Sequence, residues 1–365
     1  MRRHILYMKI ALITDTHWGA RNDSVIFADY FSKFYDNVFF PYIDEHEIKT
    51  CIHLGDVVDR RKYINFKTAN DLRENFVERL WEMNVDTHMI VGNHDIYYKN
   101  TNQVNSLTEL FSTADHILEP WIYASPREQD FDGTKILMMP WINSDNYTEC
   151  MDAINNSSAQ IMMGHLEING FEMHRGQICD AGFGADMFSK FDLVFSGHFH
   201  HKSTQGGITY LGNPYEITWS DFGDARGFHV FDTNTRELEF IQNPYHMFYK
   251  VYYDDSKETF ETIKERDYSI YTGTIVKVIV TEKNNPYWFD TMLDELYKAD
   301  VADVSVVENV DLEFEDDESV VDEAEDTLTI LSNYIDTLNI QKNKKELDNL
   351  IRTLYNEALD YEITA

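Results

Sequence analysis

The sequence has no apolar run near the roughly 18 residues that a membrane-spanning helix requires. Its densest stretch is KILMMPWI at residues 135–142. Cysteine is scarce: Cys51, Cys150 and Cys179 fit no CxxC spacing, and an odd number suits no disulfide framework, so a reducing cytoplasm is expected. Basic residues are few, 31 Lys and Arg against 64 Asp and Glu in 365 residues, giving a net charge of −33. A nucleic-acid backbone is bound largely through Lys and Arg. A broad DNA-binding face is therefore excluded, and any such surface is local or comes from a partner. A Gly-x4-Gly-Lys-Ser/Thr loop is also missing, which puts nucleotide hydrolysis of that kind outside this chain. The opening MRRHILYMKIALITD imitates a signal peptide, yet Lys9 interrupts the apolar run and no small-residue cleavage site precedes Asp15. Met8 is an alternative start, which leaves translation of residues 1–7 open.

What is present is globular in composition, 43% hydrophobic and 14% aromatic, and excludes wholesale disorder. Apolar runs at 10–14, 51–54 and 87–91 read as strands. Between them, Val25, Ile26, Tyr30, Phe34 and Val38 predict a helix reaching about Glu47, and Leu72, Phe76 and Leu80 predict another over residues 68–84. This βαβαβ order favours a layered α/β sheet. Further strands are expected at 135–141, 160–163, 193–196, 208–211 and 227–231.

The pattern changes after Pro244. We expect a main domain over 1–243, a small α+β domain over 244–308, an acidic linker over 309–320 and a helical tail over 321–365. The small domain reads as strands 248–253, 274–281 and 304–308 with a helix at 288–298. From Glu308 to Asp326, eleven of nineteen residues are acidic and none is basic, a composition that repels itself and buries little. In the tail, Leu328, Leu331 and Ile335, then Leu347, Leu350, Ile351 and Leu354, form apolar faces wider than a solvated linker needs.

Five short polar motifs close apolar strands: Asp15-Thr-His17, Gly55-Asp56-Val-Val-Asp59, Gly92-Asn93-His94-Asp95, Gly164-His165 and Gly197-His198-Phe-His200. Carboxyl ends of strands line the functional crevice of an α/β sheet, so all five can converge. Carboxylates, imidazoles and an amide oxygen without thiolate form a mixed O/N set suited to manganese, iron or zinc. Two ions about 3.5–4 Å apart need a bridging carboxylate and neutral donors on either side. Hydrolysis further needs a proton for the departing alkoxide, which suits His94. An imidazole used this way benefits from a carboxylate fixing its tautomer; Asp59 is the first candidate and Asp95 the second.

The order DxH, GDxxD, GNHD, GH, GHxH resembles the calcineurin-like metallophosphoesterases. The tandem GHFH and the downstream Tyr210-Leu-Gly-Asn-Pro214 are similar to their SbcD-type branch, the meiotic-recombination-eleven nucleases. GDVVDRRK, VGNHDIYYKN, GHLEINGF and ARGFHVFDT most resemble the small nuclease subunits of T-even-phage recombination endonucleases. The resemblance implies a layered sandwich with a small capping domain and a helical tail. It implies that Asp15, His17, Asp56 and His200 hold one divalent ion, and that Asp56, Asn93, His165 and His198 hold the other, with manganese the usual metal. His94 corresponds to the family's non-ligand histidine. Many cellular members carry histidine where Asp59 stands; the aspartate looks more like the phosphoprotein phosphatases, whose GDxVDRG motif pairs its second Asp with the GNH histidine.

Arg21, Arg60, Arg61, Lys62 and Lys202 flank the motifs and are the expected DNA-backbone contacts. Trp18, Tyr97 and Tyr98 are candidates for stacking on an unpaired base. The resemblance implies that the tail grips the coiled coil of an SbcC-type ABC ATPase, and that the nuclease domain pairs with itself in a two-plus-two complex. The helix beginning at Ser24 is the expected dimer contact. The function expected is 3′-to-5′ exonuclease and single-strand endonuclease action in phage recombination, repair and replication, within the host cytoplasm. A phosphomonoesterase or protein phosphatase of the same superfamily is the alternative.

Overall fold

The computed structural model describes residues 8–112, 120–174 and 176–308. The acidic linker, the tail and the residues assigned to partner binding, Leu328, Leu331, Ile335, Leu347, Leu350, Ile351 and Leu354, lie outside the described residues, as do residues 1–7. Seventeen strands occur among the described residues. They are β1 (Lys9–Ile13), β2 (Thr50–His53), β3 (Asp86–Ile90), β4 (Trp121–Tyr123), β5 (Arg127–Phe131), β6 (Thr134–Met139), β7 (Ile161–His165), β8 (Glu172–His174), β9 (Gln177–Ile178), β10 (Leu193–Gly197), β11 (Ser203–Gln205), β12 (Ile208–Tyr210), β13 (Gly227–Asp232), β14 (Leu238–Gln242), β15 (Phe248–Asp254), β16 (Ile275–Glu282) and β17 (Asp303–Glu308).

Two six-stranded sheets face each other. The first runs β14-β13-β1-β2-β3-β4 and the second β11-β12-β10-β7-β6-β5. Strands β1 to β4 are parallel, as are β6, β7, β10 and β12, whereas the outer strands join antiparallel. Alternation along each strand builds the layers. Ile136 and Met138 of β6 meet Ile10, Leu12, Ile52 and Ile90 of the first sheet in the inter-sheet core. Leu137 and Met139 point the other way, against Cys150 and Ile154 of the helix Tyr147–Asn156. Mixed α/β architecture is thus the fold class.

The outer face of the first sheet is covered by two helical runs that match the apolar spacing. One is Val25–Phe34, a wider π-type turn at Tyr35–Phe39, then Phe40–Glu45; the other is Phe66–Leu72, a π-type turn at Arg73–Glu78, then Arg79–Glu82. Pro41 follows the first wide turn and has no N–H to donate back along the helix, which accounts for the interruption. Phe34, Tyr35, Phe39 and Phe76 pack there ring against ring, with centroids 5.3–6.1 Å apart.

The segment after Pro244 forms a parallel three-stranded sheet, β15-β16-β17, packed on the helix Pro286–Lys298. Asn285 caps that helix, its side chain accepting the Tyr287 N–H at 3.2 Å. Glu216, fully buried, fastens the connection by accepting the N–H groups of Met247 and Phe248 at 2.7 and 3.0 Å. Among the described residues no helix is long and apolar enough to cross a membrane.

Candidate metal centre

Each motif sits just past a strand end: Asp15 after β1, Asp56 after β2, Asn93 after β3, His165 at the end of β7, His198 after β10. Pairing of β1 with β2 and β3, and of β7 with β10, brings these ends to one edge. The turns are tight. Asp15, His17, Asp56 and His198 occupy the left-handed region, with φ of 51°, 43°, 53° and 91°, a conformation that costs a non-glycine residue energy and persists where its surroundings impose it. Gly92 permits the closest approach, since a Cβ there would lie 2.3 Å from the Asp56 nitrogen.

Backbone bonds zip the turns together: Asp15 N–H donates to Gly55 O at 3.0 Å and His17 N–H to Asp56 O at 3.1 Å. The Asp95 carboxylate does more. Fully buried, it accepts four backbone N–H groups, from Gly92, Asp56, Val57 and Val58, at 2.8–3.1 Å. Burial and the nearby Asp56 charge push its pKa up to about 6.

The expected ligand side chains converge in two groups: donor atoms of Asp15, His17 and His200 lie within 4.8 Å of one another, as do those of Asp56, His165 and His198. A third set, His17, Asp56 and His94, is equally close and places His94 against both. Asp56 Oδ2 lies between the groups, 3.3 Å from His165 Nε2 and 4.0 Å from His17 Nε2. Asn93 Oδ1 is 2.9 Å from His165 Nε2, and His17 Nε2 is 3.1 Å from His200 Nε2. All seven residues expected to ligate metal are therefore brought together.

The electrostatics fit a cation. His165 Nδ1 donates to the Leu54 carbonyl at 2.8 Å, which turns Nε2 toward Asn93 Oδ1 and Asp56 Oδ2. A positive charge is needed among these atoms: in the metal-free protein a proton on Nε2 supplies it, and a bound cation would replace that proton. Burial disfavours a charged His165, but Asp56 and Asp15 outweigh it and hold the pKa at about 9. His17 behaves likewise: burial opposes its charge, while the Asp59 carboxylate 3.4 Å away and the Asp56 and Asp15 charges raise it to about 9. Burial and the positive His165 drive His198 down to about 3, so it presents a neutral nitrogen, as a ligand must. Asp15 is raised, chiefly by burial and then by Asp56. A shared cation would relieve both carboxylates.

His94 lies at the rim, its ring edge-on to His17 at 4.8 Å. Its backbone N–H donates to Asp56 Oδ1 at 2.7 Å, and its Nδ1 donates to the backbone carbonyl of Asp59. The expected tautomer-fixing partner therefore needs correction. Asp59 serves through its carbonyl, and its carboxylate instead stands 3.4 Å from His17 Nδ1. Asp95, the second candidate, is occupied by the four N–H groups.

The expected basic contacts are dispersed in role. Arg60 is ion-paired with Asp23, donates to Asn22 Oδ1 at 2.8 Å and covers the Tyr63 ring at 4.5 Å. Lys202 places its amine 3.7 Å from the Phe240 ring centroid. Arg61 is half-buried; burial lowers its pKa and the Asp56 charge raises it. Arg21 and Lys62 are exposed. Trp18 stacks internally on Tyr35 at 5.4 Å, whereas Tyr97 and Tyr98 are exposed. Arg226, to which no role was assigned from sequence, lies buried behind the GHFH turn. It donates to Asp221 and Asp224 at 3.0 and 3.1 Å and to the His200 carbonyl. Its sole signal was the charge in the otherwise apolar ARGFHVF.

The sequence profile of the calcineurin-like phosphoesterases matches residues 8–202. The chain belongs to the calcineurin-like phosphoesterase family. This makes it a phosphoester hydrolase of a family that uses divalent metals. Exonuclease subunit 1 of Enterobacteria phage T4 is 33% identical over 320 residues, 87% of this chain and 90% of that protein. Among solved structures, an archaeal phosphodiesterase matches 65% of this chain and all of its own at 14% identity and a TM-score of 0.34. A dimetal phosphatase from Danio rerio matches 61% of this chain and 91% of its own at 12% identity and a TM-score of 0.31. Family membership accounts for the convergence of motifs in this phosphoesterase on one edge of its two sheets.

Proposed function

We propose that this phosphoesterase is a two-metal DNA phosphodiesterase, a 3′-to-5′ exonuclease and single-strand endonuclease that uses manganese. The observation that carries the reading is the position of Asp56 Oδ2, 3.3 Å from His165 and 4.0 Å from His17, with further donors on either side. Asp15, His17, Asp56 and His200 would hold one ion, and Asp56, Asn93, His165 and His198 the other. Bound there, the ions neutralise phosphate charge and activate water. His94, held through Nδ1–H by the Asp59 carbonyl, leaves Nε2 free, and its imidazolium form would deliver the Nε2 proton to the leaving oxygen and return to the neutral ring. Asp59 orients His17 through its carboxylate.

DNA as substrate is supported by the T4 relative, whose name makes it an exonuclease subunit. The same name supports a complex. We take the partner to be an SbcC-type coiled-coil ATPase gripped by residues 321–365, with two nuclease chains paired, serving phage recombination, repair and replication in the host cytoplasm. Arg21, Arg61 and Lys62 are the remaining candidates for backbone contact.

The test is manganese-loaded protein offered linear duplex DNA, single-stranded DNA and a generic phosphomonoester, with and without the ATPase. Nucleotide release from DNA, lost in Asp56→Ala, is expected. Turnover of the monoester without DNA cleavage would favour the phosphatase alternative instead.

A further inference from the structure

We propose that Trp141 is the platform for the nucleobase next to the scissile phosphate, the base entering a cleft between Trp141 and Phe183 beside the metal centre. This rests on the nuclease reading and adds a subsite to it. Trp141 lies just after β6, and its peptide is fastened on both sides. Its N–H donates to Val91 O at 2.8 Å, and its carbonyl accepts from the side-chain amides of Asn102 and Asn146, each at 2.9 Å. The half-buried indole stands 5.0 Å from the His198 ring and 6.1 Å from the His165 ring. It thus borders the second donor group while keeping part of its surface open.

Beyond it lies a cleft of about 210 Å³ that reaches His165 and is walled by Trp141, Ile142, Leu166 and Phe183, with Glu167 at its polar side. An apolar cavity of about 150 Å³ admits benzene, and drug-sized sites run roughly 300–1,000 Å³. The space is scaled to one heterocycle. Its chemistry selects the same occupant. The Glu167 carboxylate repels a phosphate but accepts from the exocyclic amino group of a base, and the walls suit a π-face. Gly182 keeps the cleft narrow: its φ is +83°, and a Cβ there would lie 2.4 Å from the Glu167 carbonyl. A base joined through one sugar to a phosphate at the metal centre can reach this cleft only when unpaired. The subsite therefore favours single strands and frayed ends.

The test pairs a protein change with a substrate change. Manganese-loaded wild type and Trp141→Ala are given a single-stranded oligonucleotide and its counterparts with an abasic residue at either position flanking the cut. On the intact strand Trp141→Ala should lose roughly 10- to 100-fold in kcat/KM, with Trp141→Phe recovering most of it. On one abasic strand wild type should fall by a similar factor, and Trp141→Ala should fall no further. With 2-aminopurine at that position, binding should quench its fluorescence in wild type and not in Trp141→Ala. Equal losses on intact and abasic strands, or no loss at all, overturn the platform. Cleavage of no strand by wild type that still hydrolyses a phosphomonoester overturns the nuclease reading, and the platform with it.

Discussion

The Nδ1 of His94 donates to the backbone carbonyl of Asp59, while the carboxylate of the same Asp59 stands 3.4 Å from His17 Nδ1. One residue thus orients two imidazoles by different atoms, and the two functions separate on mutation. Asp59→Asn keeps the carbonyl and so keeps the His94 tautomer, but removes the charge behind His17. Metal affinity should drop roughly 10- to 100-fold, the usual consequence of losing such an outer partner, and saturating manganese should restore most turnover. His94→Gln should do the reverse, retaining metal by calorimetry while losing turnover. Unchanged affinity in Asp59→Asn would remove the carboxylate from any part in holding His17.

Asp95 carries no reacting atom, yet its four accepted N–H groups tie the turn after β2 to the turn after β3. Asp95→Ala leaves four buried donors with nothing to bind. Each orphaned donor costs about 1–3 kcal/mol, and partial relaxation makes a loss of roughly 3–5 kcal/mol the expected outcome. Urea unfolding of the metal-free protein measures it. A loss below about 1 kcal/mol would mean that water or a rearranged turn satisfies those groups.

The five turns were legible because each ends an apolar strand with residues whose chemistry is independent of distant context: Asp15 and His17, Asp56, Asn93, His165, His198 and His200. The long helices were legible for a similar reason, since the spacing of Phe34, Leu72 and Phe76 is local. What depended on a distant partner was not. Whether Asp59 offers its carbonyl or its carboxylate is decided by where the β3 turn places His94. Arg226 acquires its role only when the chain past β13 packs behind His200. Edge strands such as β5, with sequence REQDF, bury too little to show alternation, so β4, β5, β11 and β14 escaped notice.

Protons and metal compete for the same atoms. In the metal-free protein His17 and His165 hold their protons up to pH about 9, and one belongs to each donor group. Between pH 8 and 7, each ion must therefore expel about one proton, and each affinity should weaken about tenfold for that unit. For metal-free stability the sign is opposite. A native pKa raised above the ordinary 6.5 adds stability that is complete below 6.5 and disappears as pH climbs through 9. The metal-free chain should thus weaken from this source toward alkaline pH, where manganese stabilises it most. Calorimetric titration in buffers of differing ionisation enthalpy counts the released protons, and thermal unfolding with and without manganese gives the stabilities. Affinity that is flat from pH 8 to 7 with no proton release would mean that both imidazoles are already neutral before metal arrives.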